Sequence, residues 1–413
     1  MRALLRLDSA TDFIKFIVLI ALYYLAYRYP FQINYSGTSS TYSDTPFILQ
    51  VLKYALFVLA CAAFFVKGLF TKRLGLAKRY FQDLLFFAWV FAVPLYYTLL
   101  TADTSFFETG IFLAAVLLFL FARDKAIDLL RVRRWVAVFL VMAIAMEMVQ
   151  LFLFAAFDRL PALAYRGTIS VRFGSLWDDP NGFSFMLSFL IPFVVALRMR
   201  LSVKAVICGI LLLMLLLTQS LTGVFSFAVA LLAGTFLLGV TTRLGEYWKQ
   251  FATILSMYIA TVLVFFTVVI NLPIFQKFLA LKSGSIQGHM DKMAGGYETS
   301  LLNFIGLAPM KLSSENGYLN MLYNFGAVYV VVYGVMLIYV AYRLARKIHE
   351  HHGKPGVEVY YGAFFFLLAF AVGMMNLPLD HVFPLNLLVA ICIVLSYGRT
   401  WLPHESEGPG SPL

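Results

Sequence analysis

The sequence predicts an all-α polytopic membrane protein of about twelve transmembrane helices, with both termini in the cytoplasm. Three observations carry that expectation. Hydrophobic residues make up 62% of the 413 and charged residues only 13%, about half the share of a soluble domain. Long apolar runs follow one another almost from end to end. Lys and Arg cluster in every second connection between those runs, the bias that orients membrane helices.

The runs fall near residues 13–29, 47–70, 84–100, 108–121, 135–157, 183–197, 203–217, 224–240, 251–270, 316–342, 359–376 and 384–397. Several are shorter than the roughly 20 residues of a straight span, so their ends extend into polar neighbours. The first closes on Tyr27-Arg28-Tyr29-Pro30, which offers no small-x-small cleavage site, and reads as a helix rather than a signal peptide. The 108–121 run decides the topology, because a re-entrant segment there would invert every later span.

The charges resolve that point. Lys72, Arg73, Lys78 and Arg79 fall on one side if all runs span, as do Arg123, Lys125, Arg131, Arg133 and Arg134. So do Arg198, Arg200 and Lys204; Arg243 and Lys249; and Arg343, Arg346, Lys347 and Lys354. The loops at 30–46, 101–107, 218–223 and 377–383 hold no Lys or Arg. Residues 1–400 therefore read as one transmembrane domain, and 401–413 as a disordered cytoplasmic tail.

Topology also accounts for the net charge of +11, so membrane lipid is the implied surroundings and nucleic acid is excluded as a partner. Cys61, Cys208 and Cys392 lie in apolar runs without zinc or disulfide spacing, and read as small packing residues. No metal-ligand spacing, phosphate-binding glycine loop or Ser-His-Asp order stands out, so no metal or cofactor is expected.

Two outward connections break the charge rule, and they are the two longest. Residues 158–182 carry Arg159, Arg166 and Arg172; residues 271–315 carry Lys277, Lys282, Lys292 and Lys311, with His289 among them. Long loops escape the rule, so plain solvation is one reading. Cations that avoid the four short outward loops yet gather here favour an anion site on the outer face.

Three segments hold chemistry-bearing residues. Arg172-Phe173-Gly174-Ser175-Leu176-Trp177-Asp178-Asp179-Pro180-Asn181 leads into the sixth helix, with Asp179 as N-cap and Pro180 as first helical residue. Free N–H groups and the positive end of the helix dipole beside Arg172 would suit an anion; a well-capped helix start alone explains the pattern equally well. Ser313-Ser314-Glu315-Asn316-Gly317-Tyr318-Leu319-Asn320 predicts another helix start, with a serine cap and an acidic first turn.

Asn316, Asn320 and Asn324 recur every four residues, a polar stripe facing the bundle interior, for which interhelical hydrogen bonding is the plain alternative. Glu315 at its mouth is the general-base candidate. The third segment, Thr218-Gln219-Ser220-Leu221-Thr222-Gly223, is a short polar turn. Glu147 and Gln150, inside the fifth span, read as polar contacts within the bundle ahead of a proton path. Asp380-His381 is a minority acid/base pair, and His349, His351 and His352 are a solvated loop.

In order and spacing these segments resemble the O-antigen ligase and polymerase superfamily of bacterial envelope biogenesis. The family pattern is an arginine-bearing stretch ending in Asp-Pro-Asn, a Thr-x-Ser turn, then a large outer loop closing on His-Asn-x-Tyr-Leu with a later glycine. Here these are Arg172 to Asn181, Thr218 to Gly223, and Glu315 to Leu319 with Gly326; the resemblance covers roughly residues 165–345.

It implies a GT-C-like glycosyltransferase with a large periplasmic loop, using a polyprenyl-diphosphate-linked glycan at the outer face of the bacterial inner membrane. Neither nucleotide sugar nor metal is implied. Glu315 stands at the family's His position and would activate the acceptor, while Arg172 would act on the diphosphate. Leu221 replaces an Arg often found after the serine, and His289 with Lys292 stands where another Arg often lies. Arg166, Lys282, His289 and Lys292 are then the further diphosphate candidates, with Asp179, Asn181, Asn316, Tyr318 and Asn320 lining the site.

Loss of the ligase-like His favours a repeat-unit polymerase over a lipid A–core ligase, with a chain-length co-polymerase and a flippase as implied partners. The rival from another class is a lipid-linked glycan flippase, which would place charged pairs deep in several helices. A non-catalytic assembly scaffold is weaker.

Overall fold

The computed structural model describes residues 81–101, 126–157, 171–177, 179–241, 316–382 and 385–401. It also describes short or single positions at 33–34, 160–161, 164–166, 276 and 280 and within 55–70. Among these residues the fold is that of an all-α membrane protein. Its helices are α1 (Phe81–Thr101), α2 (Leu129–Phe157), α3 (Pro180–Ala196), α4 (Leu201–Leu217) and α5 (Leu221–Thr241). They continue as α6 (Gly317–Phe325), α7 (Ala327–Glu350), α8 (Val357–Gly373) and α9 (Leu385–Tyr397). By length and composition α1, α2, α5 and α7 can cross a membrane; α3, α4, α8 and α9 are apolar but shorter.

Strands are confined to small pairings. Antiparallel β1 (Ile33–Asn34) and β3 (Leu160–Pro161) form one pair, and β4 (Ala164–Arg166) and β5 (Val171–Phe173) another. Parallel β2 (Ala126–Asp128) and β6 (Arg399–Trp401) form the third, so regular structure reaches the point where the sequence starts the tail.

Helices α3 and α8 form the hub. Both are apolar on every side and buried along nearly their whole length, as expected of helices walled in by other helices. Their axes approach closely because glycines leave room for aromatic rings: Phe189 packs where a side chain on Gly362 would stand, and Phe185 does the same at Gly373. Helices α5 and α7 pack on α8 from the outside. At its far end α8 begins with Glu358, whose carboxylate accepts from Gly356 N–H at 3.0 Å and pairs with Arg133 at 2.8 Å.

Chain direction then sorts the helix ends. The starts of α3, α5, α6 and α9 and the ends of α4 and α8 share one end of the bundle, the site end. Arg133, Arg198, Arg343, Lys354 and Arg399 lie at the opposite, basic end, where Arg198 donates to Gly353 O and Arg343 stacks 3.9 Å over Tyr397.

Seven expected runs, 84–100, 135–157, 183–197, 203–217, 224–240, 359–376 and 384–397, each coincide with a helix where described. The 108–121 and 251–270 runs lie outside the described residues, as do 13–29 and most of 47–70. The 316–342 run differs from expectation. Gly326, at φ 85°, breaks it into α6 and α7, and α7 continues to Glu350. A left-handed residue stops one helix, and glycine adopts that conformation without a Cβ clash.

Close packing gives a direct test. A methyl group on Gly223 would overlap the Ser184 side chain, whereas nothing lies within 4 Å of one on Gly209. Gly223→Ala is expected to destabilise the fold by about 1–3 kcal/mol. Gly209→Ala should be neutral or stabilise by up to about 1 kcal/mol. Thermal unfolding of both variants in detergent reads the difference.

Candidate functional site

The site end is assembled from the three segments singled out in the sequence. Strand β5 sets Arg172 opposite Tyr165 of β4. The chain then turns through Gly174–Trp177, closed by Trp177 N–H donating to Gly174 O at 2.8 Å. Within that turn Ser175 takes φ 50°, a strained position for a residue with a side chain.

Helix α2 holds it there. Gln150 Nε2 donates to Ser175 O at 2.8 Å, Ser175 N–H donates to Gln150 Oε1 at 3.1 Å, and Ser175 Oγ donates to Ala143 O at 2.6 Å. An amide side chain thus replaces a backbone partner on both sides of one residue. Glu147, between these contacts in sequence, is also buried, with the Ser175 backbone beside its carboxylate.

Asp179 then caps α3 as the sequence predicts, its carboxylate accepting from Asn181 N–H at 3.0 Å and Gly182 N–H at 3.3 Å. Burial pushes this carboxyl up from its ordinary range, while the Asn181 N–H, Arg172 and the Gly182 N–H pull it back. The cap changes what the helix start can do. The N–H groups expected to face an anion are occupied by Asp179 itself, so the cationic contribution rests on Arg172.

Arg172 joins the first and third segments. Its Nε donates to Thr218 O at 2.7 Å and its Nη2 to Asn181 Oδ1 at 2.7 Å. Thr218 is the C-cap of α4, so a cation sits at the negative end of that helix dipole. The turn is tight: Gln219 has φ 51°, Ser220 N–H donates to Thr218 Oγ1 at 3.2 Å, and Gly223 N–H to Ser220 Oγ at 3.1 Å.

The second segment docks beside them through the end of α8. Asn376 donates to Thr222, tying this stretch to the polar turn. Gly317 N–H donates to Met374 O at 2.8 Å, and Tyr318 OH donates to Ala371 O at 2.8 Å. The cap of α6 is Asn316, whose Oδ1 accepts from Leu319 N–H at 3.0 Å. This corrects the expected serine cap and acidic first turn: Glu315 precedes the cap. The asparagine stripe turns inward as expected, with Asn324 Nδ2 donating to Asn320 O at 2.9 Å and Oδ1 at 3.1 Å.

Arg172, Asp179 and Asn181 are therefore in direct contact, and Asn316, Tyr318 and Asn320 share the same end. Arg166 has a described backbone, paired with Val171. Glu315, Lys282, His289 and Lys292 lie outside the described residues. Sequence reasoning missed Asn376, whose only signal was one amide in an otherwise apolar Met374–Pro378 stretch. It also ranked Asp380 low; that residue is buried at the start of a 3-10 turn, Leu379–His381, within electrostatic reach of Tyr318, Tyr329 and Tyr333.

Among the described residues no three His, Cys, Asp or Glu side chains gather to hold a metal. Compared with known proteins, the chain matches no family model and no curated relative.

The arrangement is chemically a fixed cation and a set of amides at the meeting of four helix ends. Its rigidity depends on Gln150. Replacing that residue by Leu would leave the buried Ser175 N–H and C=O without their partner, at about 1–3 kcal/mol per group. Gln150→Leu is expected to lower the unfolding temperature in detergent by several degrees. An unchanged midpoint would mean that the turn stands without the Gln150 amide.

Proposed function

We propose that this chain is a repeat-unit polymerase, a GT-C-like glycosyltransferase of about twelve transmembrane helices with both termini in the cytoplasm. Its reaction joins polyprenyl-diphosphate-linked oligosaccharides into O-antigen, capsule or exopolysaccharide at the periplasmic face of the bacterial inner membrane. The observation that supports this most is the contact of Arg172 with both Asn181 and Thr218, which unites two of the segments carrying the family resemblance. The third lies alongside through Asn376 and Met374.

The chemistry follows from residue types. The acceptor hydroxyl of one lipid-linked unit attacks the anomeric carbon of the other; the bond from that carbon to the diphosphate oxygen breaks. Polyprenyl diphosphate departs with the electron pair, and Glu315 takes the hydroxyl proton. A planar guanidinium suits a diphosphate because it can donate two parallel hydrogen bonds, and its charge is worth most as the leaving group gains negative charge. Arg166, Lys282, His289 and Lys292 would share that load from the two long outer connections. Asn316, one residue after Glu315 in sequence, caps α6 and fixes where that helix begins.

The test is glycan banding in the native host. A deletion strain is complemented with wild type, Glu315→Gln or Arg172→Ala at matched membrane levels. Each variant is expected to leave single repeat units where wild type makes long chains, with Arg172→Ala reducing activity on the order of 100-fold or more. Normal chains from both variants would remove the assigned roles. Normal chains that fail only to reach lipid A–core would point to the ligase.

A further inference from the structure

Among the described residues, helix α7 presents one narrow face that no other helix covers. Val328, Val331, Val335, Ile338 and Tyr342 are all exposed, and their spacing of three and four residues puts them on a single line along the helix. In a membrane protein such a line is what acyl chains contact. The same line continues one turn beyond Tyr342 to Arg346, whose side chain is 61% exposed at the basic end.

Charge is concentrated where the apolar line stops. Lys347 lies within electrostatic reach of Arg343, Arg346 and Arg399, the last brought in by the β2–β6 pairing. Among the described residues, the carboxylates that act on this group are Glu350 and Asp83. Glu350 accepts from Arg346 at 3.2 Å and lies 3.8 Å from Lys347. Asp83 lies beside Tyr397. Arg343 is already committed, stacked over Tyr397, 5.6 Å from the Tyr339 ring centroid, and donating to Ser396 O at 3.3 Å. It braces the group, and among the described residues the remaining cations, exposed Arg346 and Arg399 and half-buried Lys347, outnumber the acids.

We propose that this corner seats an anionic phospholipid, its acyl chains along the α7 line and its phosphate against Arg346, Lys347 and Arg399. A cation cluster at the end of a lipid-facing helix attracts an anionic headgroup by about 1 kcal/mol per basic residue near the surface, or about fivefold in affinity. A zwitterionic lipid supplies the same chains without the net charge, and free phosphate supplies charge without chains. The site needs both. It is independent of the reaction proposed above.

Delipidated full-length protein in detergent is titrated with phosphatidylglycerol, with phosphatidylcholine of matched chains, or with inorganic phosphate. Thermal unfolding and native mass spectrometry give the readouts. Phosphatidylglycerol is expected to raise the unfolding temperature and stay bound, and the other two are not. Arg346→Gln with Arg399→Gln should weaken that binding about fivefold per cation removed. Arg131→Gln should leave it unchanged, since Arg131, on α2, is not among the charges that act on Lys347.

Should the double variant fold poorly, the single Arg346→Gln carries the same comparison at an exposed position. Equal binding of the two lipids would overturn the proposal. So would equal weakening by Arg131→Gln, which would mean diffuse charge, or equal stabilisation by phosphate, which would mean a free-anion site.

Discussion

A helix that ends inside an apolar bundle leaves backbone carbonyls or N–H groups that neither lipid nor apolar side chains can satisfy. The site end of this protein is organised around that constraint. Helix α4 stops at Thr218, and its carbonyl is taken by Arg172. Helix α3 starts at Pro180, and its first N–H groups are taken by Asp179. Helix α6 starts at Gly317, with Leu319 N–H taken by Asn316 and Gly317 N–H by Met374 O. Each repair brings a polar side chain or a second segment to the same place. The polar cluster is therefore first a solution to backbone hydrogen bonding, and any chemistry it performs uses groups already fixed by that need.

The same logic explains why α3 and α8 are central. Both are apolar over most of their surface, so little in them resists burial, and glycines at 362 and 373 let Phe189 and Phe185 close the gap. A hub of this kind fixes its two ends relative to each other. At one end α8 delivers Met374 and Asn376 to the candidate site. At the other, Glu358 anchors Arg133 at 2.8 Å and so ties α2, which carries Gln150, to the hub. The strained turn at Ser175 is thus supported through α2 from the far side of the bundle. Left-handed serine costs energy that only such an over-determined setting repays.

The fold was legible in the sequence where the signal is additive. Apolar length found the described helices, because each residue contributes independently to membrane transfer. It was less legible where one backbone angle decides. The 316–342 run looks continuous in hydropathy, yet Gly326 breaks it, and composition cannot say which glycine in a membrane helix will do so. Asp179-Pro180 was readable as a cap because the motif is local. The choice of Asn316 over the preceding serines was not, since docking on Met374 and Ala371 sets where α6 begins. Partners far apart in sequence, Gln150 with Ser175 and Thr222 with Asn376, have no local signature at all.

Arg172 shows how the structural and chemical demands meet in one side chain. Its guanidinium faces a helix C-terminus, an amide oxygen and the field of Asp179, so much of its charge is balanced at rest. An incoming diphosphate would have to offer more than those neighbours combined. Under the proposed function it would do so as a doubly charged group able to take parallel hydrogen bonds from a plane already oriented by Nε and Nη2. A lysine would supply the charge and donors for both oxygens, but its freely rotating ammonium would not fix the angle between Thr218 O and Asn181 Oδ1. The geometry therefore favours arginine here for two reasons that act at once: closing α4 onto α3, and presenting a cation whose orientation is settled before any ligand arrives. Preorganisation of that kind is what makes a buried charge useful to a reaction, since no further reorientation is needed when negative charge develops.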